Sequence, residues 1–346
     1  MINDNKSLSF TTGIIREDIV YLMCREYAML VAMDYNSGEY IWIKNIPDED
    51  YDTLHGSWRI ISIKDKLVIV PFNFQYIHIY DIKNDKWGIV DFTCSKKNAN
   101  QYSEAFVHEN KVIMIGAMVN NILSFNIDNN ETKVINSYFA ELDTLNYYNC
   151  RGGYAHIDDY IYIPISCICE VLKLSLKEYE YEVIHLNDQL PGFSGICYDG
   201  KYFWMPSRVN SSVDIYDKEF HRIDTLDIFS SDAEEFKLEG AYIYQDNIYI
   251  HGQDGKDTYI IDRDTKEITK MDAPLLFLYG KNAFLTGQFN DGTLYLKNKE
   301  KEKKIYPKIN NTIRNVLFEM IKQEILCGKT LKETEELGLI DFINFL

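Results

Sequence analysis

The feature that most constrains this chain is a pattern of short apolar runs, written in full between Trp58 and Trp87 as WRIISIKDKLVIVPFNFQYIHIYDIKNDKW. Ile60 to Ile63 is a β-branched run, Lys64-Asp65-Lys66 is a polar turn, and Leu67 to Val70 is a second apolar run. Ile77 to Ile82 alternates in polarity, and Asn84-Asp85 reverses the chain towards Trp87. Apolar runs of about 4–8 residues bounded by turn residues suit strands buried on both faces. The alternating third run predicts a strand nearer the rim, with one wet face.

The pattern recurs. The second run returns at residues 19–22, 67–70, 112–115, 161–164, 202–205, 248–251 and 283–286, at steps of 48, 45, 49, 41, 46 and 35 residues. A separate marker, the residue closing the third strand, falls at Asp34, Asp81, Asn126, Ser175, Asp217, Asp262 and Leu296. Its steps are 47, 45, 49, 42, 45 and 34. Two markers with the same uneven rhythm define one repeating unit with insertions in its loops. Seven such four-stranded units in a ring make an all-β, seven-bladed β-propeller, expected over residues 1–308.

After Pro307 the periodicity changes. Asn311-Thr312 can cap a helix carrying Ile313, Leu317, Met320, Ile321 and Leu326, which Gly328 ends. Thr330 to Glu333 has the capping-box form and opens a second helix with Leu337, Ile340 and Ile343. Residues 309–346 therefore read as a short helical extension, packed on the propeller or docked on a partner or a second copy of the chain. Two charged stretches read as solvated: the connection at residues 47–52 (PDEDYD) and the outer tip at residues 298–304 (NKEKEKK).

Composition excludes some partners. With a net charge of −17, neither nucleic acid nor an anionic membrane surface would attract this chain at long range. No apolar run approaches the ~20 residues that span a bilayer. The first ten residues, MINDNKSLSF, lack the basic start and apolar core of a signal peptide. The seven cysteines are an odd set lying mostly in or beside apolar runs, which predicts buried free thiols in a reducing, cytoplasmic setting. Cys167 and Cys169 would share one face of an extended strand, but no second pair at ligand spacing accompanies them. No metal or cofactor is expected, and GxGxxG, Walker A, GxSxG and HExxH are all missing from the sequence.

The blade pattern resembles the kelch-like β-propellers. In that family a Tyr on the third strand precedes a Trp on the fourth by a short fixed gap, and Tyr80 and Trp87 match this in the second blade. Phe125, Tyr216 and Ile260 take the Tyr position in the third, fifth and sixth blades, none with the Trp. The paired glycines after the second strand are missing; Gly152-Gly153 instead precede the first strand of the fourth blade. The resemblance spans roughly residues 9–306 and implies a shallow funnel with a central channel, used to bind proteins or small ligands. It brings no active site with it.

Aligning blades on the turn before the second strand puts Arg59, Glu104, Gly153, Ser194 and Gly240 at one level. Trp58, Ser103, Gly152, Phe193 and Glu239 fall one residue earlier. Arg59, Glu104, Arg151 and Glu239 are thus expected to crowd one mouth, with Trp58 and Phe193 as flat apolar surfaces. Such a mouth suits a ligand with hydroxyls and an apolar face, such as a sugar or nucleotide-sugar. Mutual ion pairing, Arg59 with Glu104, is the competing use of these charges. Gly152-Gly153 would leave room for a ligand beside Arg151. A second rim follows the second strands at residues 71–75, 206–208, 251–254 and 288–290, where Arg208 and His251 stand out. His251 has the pKa range of a general base. Three functions stay open: a non-enzymatic module binding a protein or small polar ligand, an enzyme acting on a sugar or similar metabolite, and a structural spacer.

Overall fold

In a computed structural model, the chain folds into seven four-stranded antiparallel sheets. The structure describes residues 10–25, 27–50, 53, 55–92, 101–119, 121–136, 152–166, 168–186, 192–207, 210–228, 238–252, 258–271, 275–278, 283–287, 294–298, 302–305, 307, 315 and 319. Each sheet is one uninterrupted stretch of chain whose strands pair in sequence order. The sheets span residues 10–45, 59–90, 102–136, 155–185, 197–227, 238–271 and 275–305. Among the described residues no helix is long and apolar enough to cross a membrane. Asn315 and Glu319 are helical and exposed; the rest of the expected helical extension lies outside the described residues.

Local chemistry explains the repeat. In sheets one to six the marker residue closing the third strand folds its side chain back over the turn that follows. Asp34 accepts the N–H of Asn36 and Ser37, Asp81 that of Asn84, and Asn126 that of Asp128. Ser175 accepts from Lys177 and Glu178, Asp217 from Glu219 and His221, and Asp262 from Asp264 and Thr265. Short polar side chains that can bond the backbone two or three residues on are what such turns select. Hydrogen bonds from Ser37, Asn84, His221 and Thr265 hold the carboxyls of Asp34, Asp81, Asp217 and Asp262 below their usual range. Four residues after the cap, Gly38, Asp85, Asn130, Tyr179 and Lys266 take positive φ and close the turn.

The chain divides into two compact units, residues 1–91 with 276–346, and residues 92–275. In the first, sheets one and two share a core of Tyr21, Leu30, Ile60, Leu67, Phe74 and Tyr80. Trp42 packs edge-on to Tyr80, and Lys44 crosses from the fourth strand of sheet one to pair with Asp85 in the turn of sheet two. Lys303, on the fourth strand of sheet seven, donates to the carbonyls of Tyr35 and Asn36 in the turn of sheet one. In the second unit Asp224 on sheet five pairs in the same manner with Lys266 of sheet six. Its cores lie between consecutive sheets: Ile113 and Ile115 with Ile163 and Leu172, Val171 with Phe203 and Met205, Trp204 and Ile215 with Ile248 and Ile261.

Several expectations need correction. The third strand of sheet two, Ile77–Asp81, is buried from Ile77 to Tyr80, because sheet one covers it; the wet strand is the fourth, Lys86–Val90. The second strand of sheet five runs Phe203–Pro206, one residue later than the sequence suggests. Tyr198 pairs with Phe203, so the intervening turn has four residues, where sheets two, three, four and six use two. Asp199 builds that turn by accepting from Lys201, Tyr202 and the Trp204 indole, with Gly200 at φ 98°. In sheet six the residue matching Tyr80 is Ile261, paired with Ile248 as Tyr80 pairs with Leu67. Half of the charged run 298–304 is strand, since Glu302–Ile305 forms the outer edge of sheet seven. Cys169 sits in the turn before Glu170–Ser175 and not within a strand, so the shared strand face expected with Cys167, itself outside the described residues, is not there.

Candidate binding rim

In an antiparallel pair the start of one strand lies opposite the end of the next. Arg59 pairs with Val70, Glu104 with Ile115, and Glu239 with His251, while Phe193 bridges to Ser207. The mouth and the second rim read from the sequence are therefore one end of each sheet. That end also carries the long connections, at residues 46–58, 91–101, 137–154, 186–196 and 228–237. The opposite end carries two-residue turns at residues 64–65, 109–110, 158–159 and 245–246.

Two of the charged candidates, Arg59 and Glu104, are buried and bond to backbone. Arg59 is 3 % exposed and its Nη1 donates to the carbonyl of Trp58 at 2.7 Å. Glu104 is 2 % exposed and its Oε1 accepts the N–H of Gly153 at 3.1 Å. Each bonds backbone within its own unit. Phe193 is not a flat ligand surface: it is 4 % exposed and meets the ring of Tyr216 edge-on at 6.0 Å. His251 is half-buried with its ring stacked on Tyr242 at 6.0 Å. Arg151 and Arg208 lie outside the described residues, as do residues 253–254 and 288–290 of the second rim. Of Glu239, only the backbone pairing with His251 is described.

The space expected beside Gly152-Gly153 is occupied by protein. A Cβ on Gly152 would stand 2.4 Å from the Cα of Gly240, and one on Gly195 would stand 1.9 Å from the carbonyl oxygen of Gly152. On Gly153, at φ 92°, it would come within 2.7 Å of the Ala241 carbonyl. The approaches to the first strands of sheets four, five and six meet backbone to backbone, and glycine is the residue that allows it. No ligand fits between them.

Sheet two carries a better-formed stretch of rim, much of which the sequence reading missed. Trp58 is half-buried, stacked on Phe72 at 4.2 Å and 14°, with the His55 ring edge-on at 6.2 Å. Beneath it the carbonyl of Gly56 receives three consecutive N–H groups, from Phe72, Asn73 and Phe74, at 2.9, 3.0 and 3.2 Å. A side chain at Gly56 would run into the Phe74 ring. The connection read as solvated is pinned as well. The Glu49 carboxylate is 1 % exposed and accepts from the N–H of Gln75 and Tyr76 at 2.7 and 3.1 Å. His78, 0 % exposed, lies 3.6 Å from it and donates Nε2–H to the Pro47 carbonyl at 3.0 Å. A Glu among three other acids carries no local sign of burial, and only His78 amid apolar residues hinted at a polar partner. Among the described residues no group of three His, Cys, Asp or Glu side chains could hold a metal ion.

The sequence matches no protein-family model and no curated protein. Similar solved structures include a virginiamycin B lyase from Staphylococcus aureus, at a TM-score of 0.59 and 8 % identity over 86 % of this chain and 93 % of that one. YCF48 bound to the D1 peptide is similar at 0.60 and 10 % identity, over 85 % and 94 %. BamB from Moraxella catarrhalis is similar at 0.55 and 14 % identity, over 84 % and 85 %. At such identities the likeness shows the fold, which is that of a β-propeller with four-stranded blades.

Proposed function

We propose that this β-propeller is a non-enzymatic binding module or scaffold that recognises a protein partner, or a small polar ligand, at the loop-bearing end of its sheets. The observation that carries the reading is the asymmetry of sheets one to six, with tight, side-chain-capped turns at one end and long connections at the other, joined in sheet two by the Trp58–Phe72 stack. A half-buried Trp on a built shelf suits the anchoring role aromatic residues play in protein interfaces. YCF48, a fold neighbour, is described with a bound peptide, which favours the protein-binding branch. The buried thiols of Cys24 and Cys197 support a reducing, cytoplasmic setting. The kelch-like character rests on sheet two alone, where the rings of Tyr80 and Trp87 lie 5.0 Å apart. An enzymatic reading, with a sugar or nucleotide-sugar as substrate, draws on the lyases among the fold neighbours and on His251.

Site-specific photo-crosslinking tests the choice. A benzophenone amino acid replacing Trp58 should give discrete protein adducts in the source cell, whereas one replacing Asn84 in the opposite turn should give none. Adducts from position 84 but not from position 58 would overturn the reading. A melting-temperature shift by a sugar or nucleotide-sugar, abolished by Trp58→Ala, would select the small-ligand branch.

A further inference from the structure

The pairing of Glu49 with His78 joins two rim segments that are separate in sequence. Residues 47–49 belong to the connection that ends at Trp58, and residues 75–78 close the loop that carries Phe72. Two polar contacts hold them together: the Glu49 carboxylate on the N–H groups of Gln75 and Tyr76, and His78 Nε2–H on the Pro47 carbonyl. His78 is enclosed by the rings of Phe74, Tyr76 and Trp87, and its Nδ1 has no hydrogen-bond partner among the described residues. Protonating Nδ1 would leave an unsatisfied buried charge, so the ring is neutral. An ionised Glu49 would likewise be a buried charge without a cation beside it among the described residues.

From this geometry we propose that Glu49 and His78 form a single-proton latch, closed on residues 75–76 when Glu49 holds the proton and loosened there as that proton leaves. Burial raises the Glu49 carboxyl to about 7, against the pull of the Gln75 and Tyr76 N–H groups, and Asp50 and Asp48 add to the rise. Burial lowers His78 to about 4, opposed by its bond to Pro47. Among the described residues, the ionisable groups around the carboxyl are Asp48 and Asp50 on its own connection, His78 on the third strand and Tyr76 on the facing loop. When the connection lifts, Glu49 enters water while His78 stays within its strand. The open state then binds its carboxyl proton near pH 4.5 and the closed state near 7, so opening is favoured progressively as pH rises between those values.

The inference concerns the latch itself and stands whether or not the rim binds a partner. Hydrogen exchange of the full-length protein reads it directly. Protection of the Gln75 and Tyr76 amides, corrected for intrinsic exchange, should fall at least ~10-fold between pH 5 and 7. The Phe72 and Asn73 amides, bonded to the Gly56 carbonyl, are the internal reference and should not follow. Glu49→Gln keeps an acceptor of the same shape and should abolish the pH dependence. A flat wild-type profile, or a slope that survives Glu49→Gln, would overturn the latch. Should that variant fail to fold, a carbon-13 titration of Glu49 in the wild type decides, since a carboxyl titrating below pH 5 excludes it.

Discussion

Glu49 and His78 behave differently in global unfolding than in local opening, because unfolding releases both. Near pH 5.5 the unfolded chain carries an ionised Glu49 and a protonated His78; the folded chain carries a neutral acid and a neutral imidazole. One proton is bound either way, so the pair contributes almost no pH dependence to stability there. Each single variant exposes the other half. In Glu49→Gln, His78 has a folded value of about 4 against 6.5 unfolded, so its contribution is present above pH 6.5 and lost as pH falls towards 4. In His78→Gln, Glu49 has a folded value of about 7 against 4.5, so its contribution is present below pH 4.5 and lost as pH rises through 7. Urea unfolding at pH 4.5 and 6.5 should show opposite slopes for the two variants, each worth ~1–3 kcal/mol at one pH unit per 1.4 kcal/mol. Parallel slopes would contradict the pairing. His55, lowered to about 4 by burial and by Arg25, adds a rise with pH as large as that of His78 to all three proteins, so the two slopes are opposite when read relative to the wild type.

At the scale of elements, the strands were legible and the loops were not. Turns and strand patterns are local: the polar residue closing a third strand bonds its own turn, and the apolar runs meet sheets on both faces. Asn126 illustrates the cap without a charge. Asn126→Ala should lower stability by about 1 kcal/mol, the usual net worth of a hydrogen bond, as read by thermal melting; no change would mean the turn holds without its cap. What the sequence could not convey was tertiary. The third strand of sheet two alternates in polarity yet is buried, because Trp42 and Lys44 of sheet one close over it and His78 finds its partner at Pro47. The extra turn residues at Asp199–Tyr202 shifted one strand by a single position. The candidate mouth was less legible: Arg59 and Glu104 lie opposite the ends of second strands in their own sheets, where each is buried and bonds backbone. A Gly pair reads the same whether it admits a ligand or another backbone, and here Gly240 and Ala241 fill the space.

For the whole molecule, the described cysteines test the setting in which it folds. Cys24 and Cys197 are buried, with burial pushing the Cys197 thiol well above its usual range; Cys169 is half-buried. Native protein should therefore react slowly with a thiol reagent at Cys24 and Cys197 and faster at Cys169, with all three reacting once unfolded. Rapid native labelling of Cys197 would contradict the packing of Trp204 and Ile215 around it. The unequal ends of the sheets carry a different consequence. Because the short turns are nearly invariant, the variation in repeat step from 34 to 49 residues is absorbed almost entirely by the long connections. Repeat length thus measures how freely each blade has accepted insertions. New sequence grafted between residues 137 and 154 would extend a path that already tolerates length, whereas one residue added at 64–65 would throw a whole blade out of register.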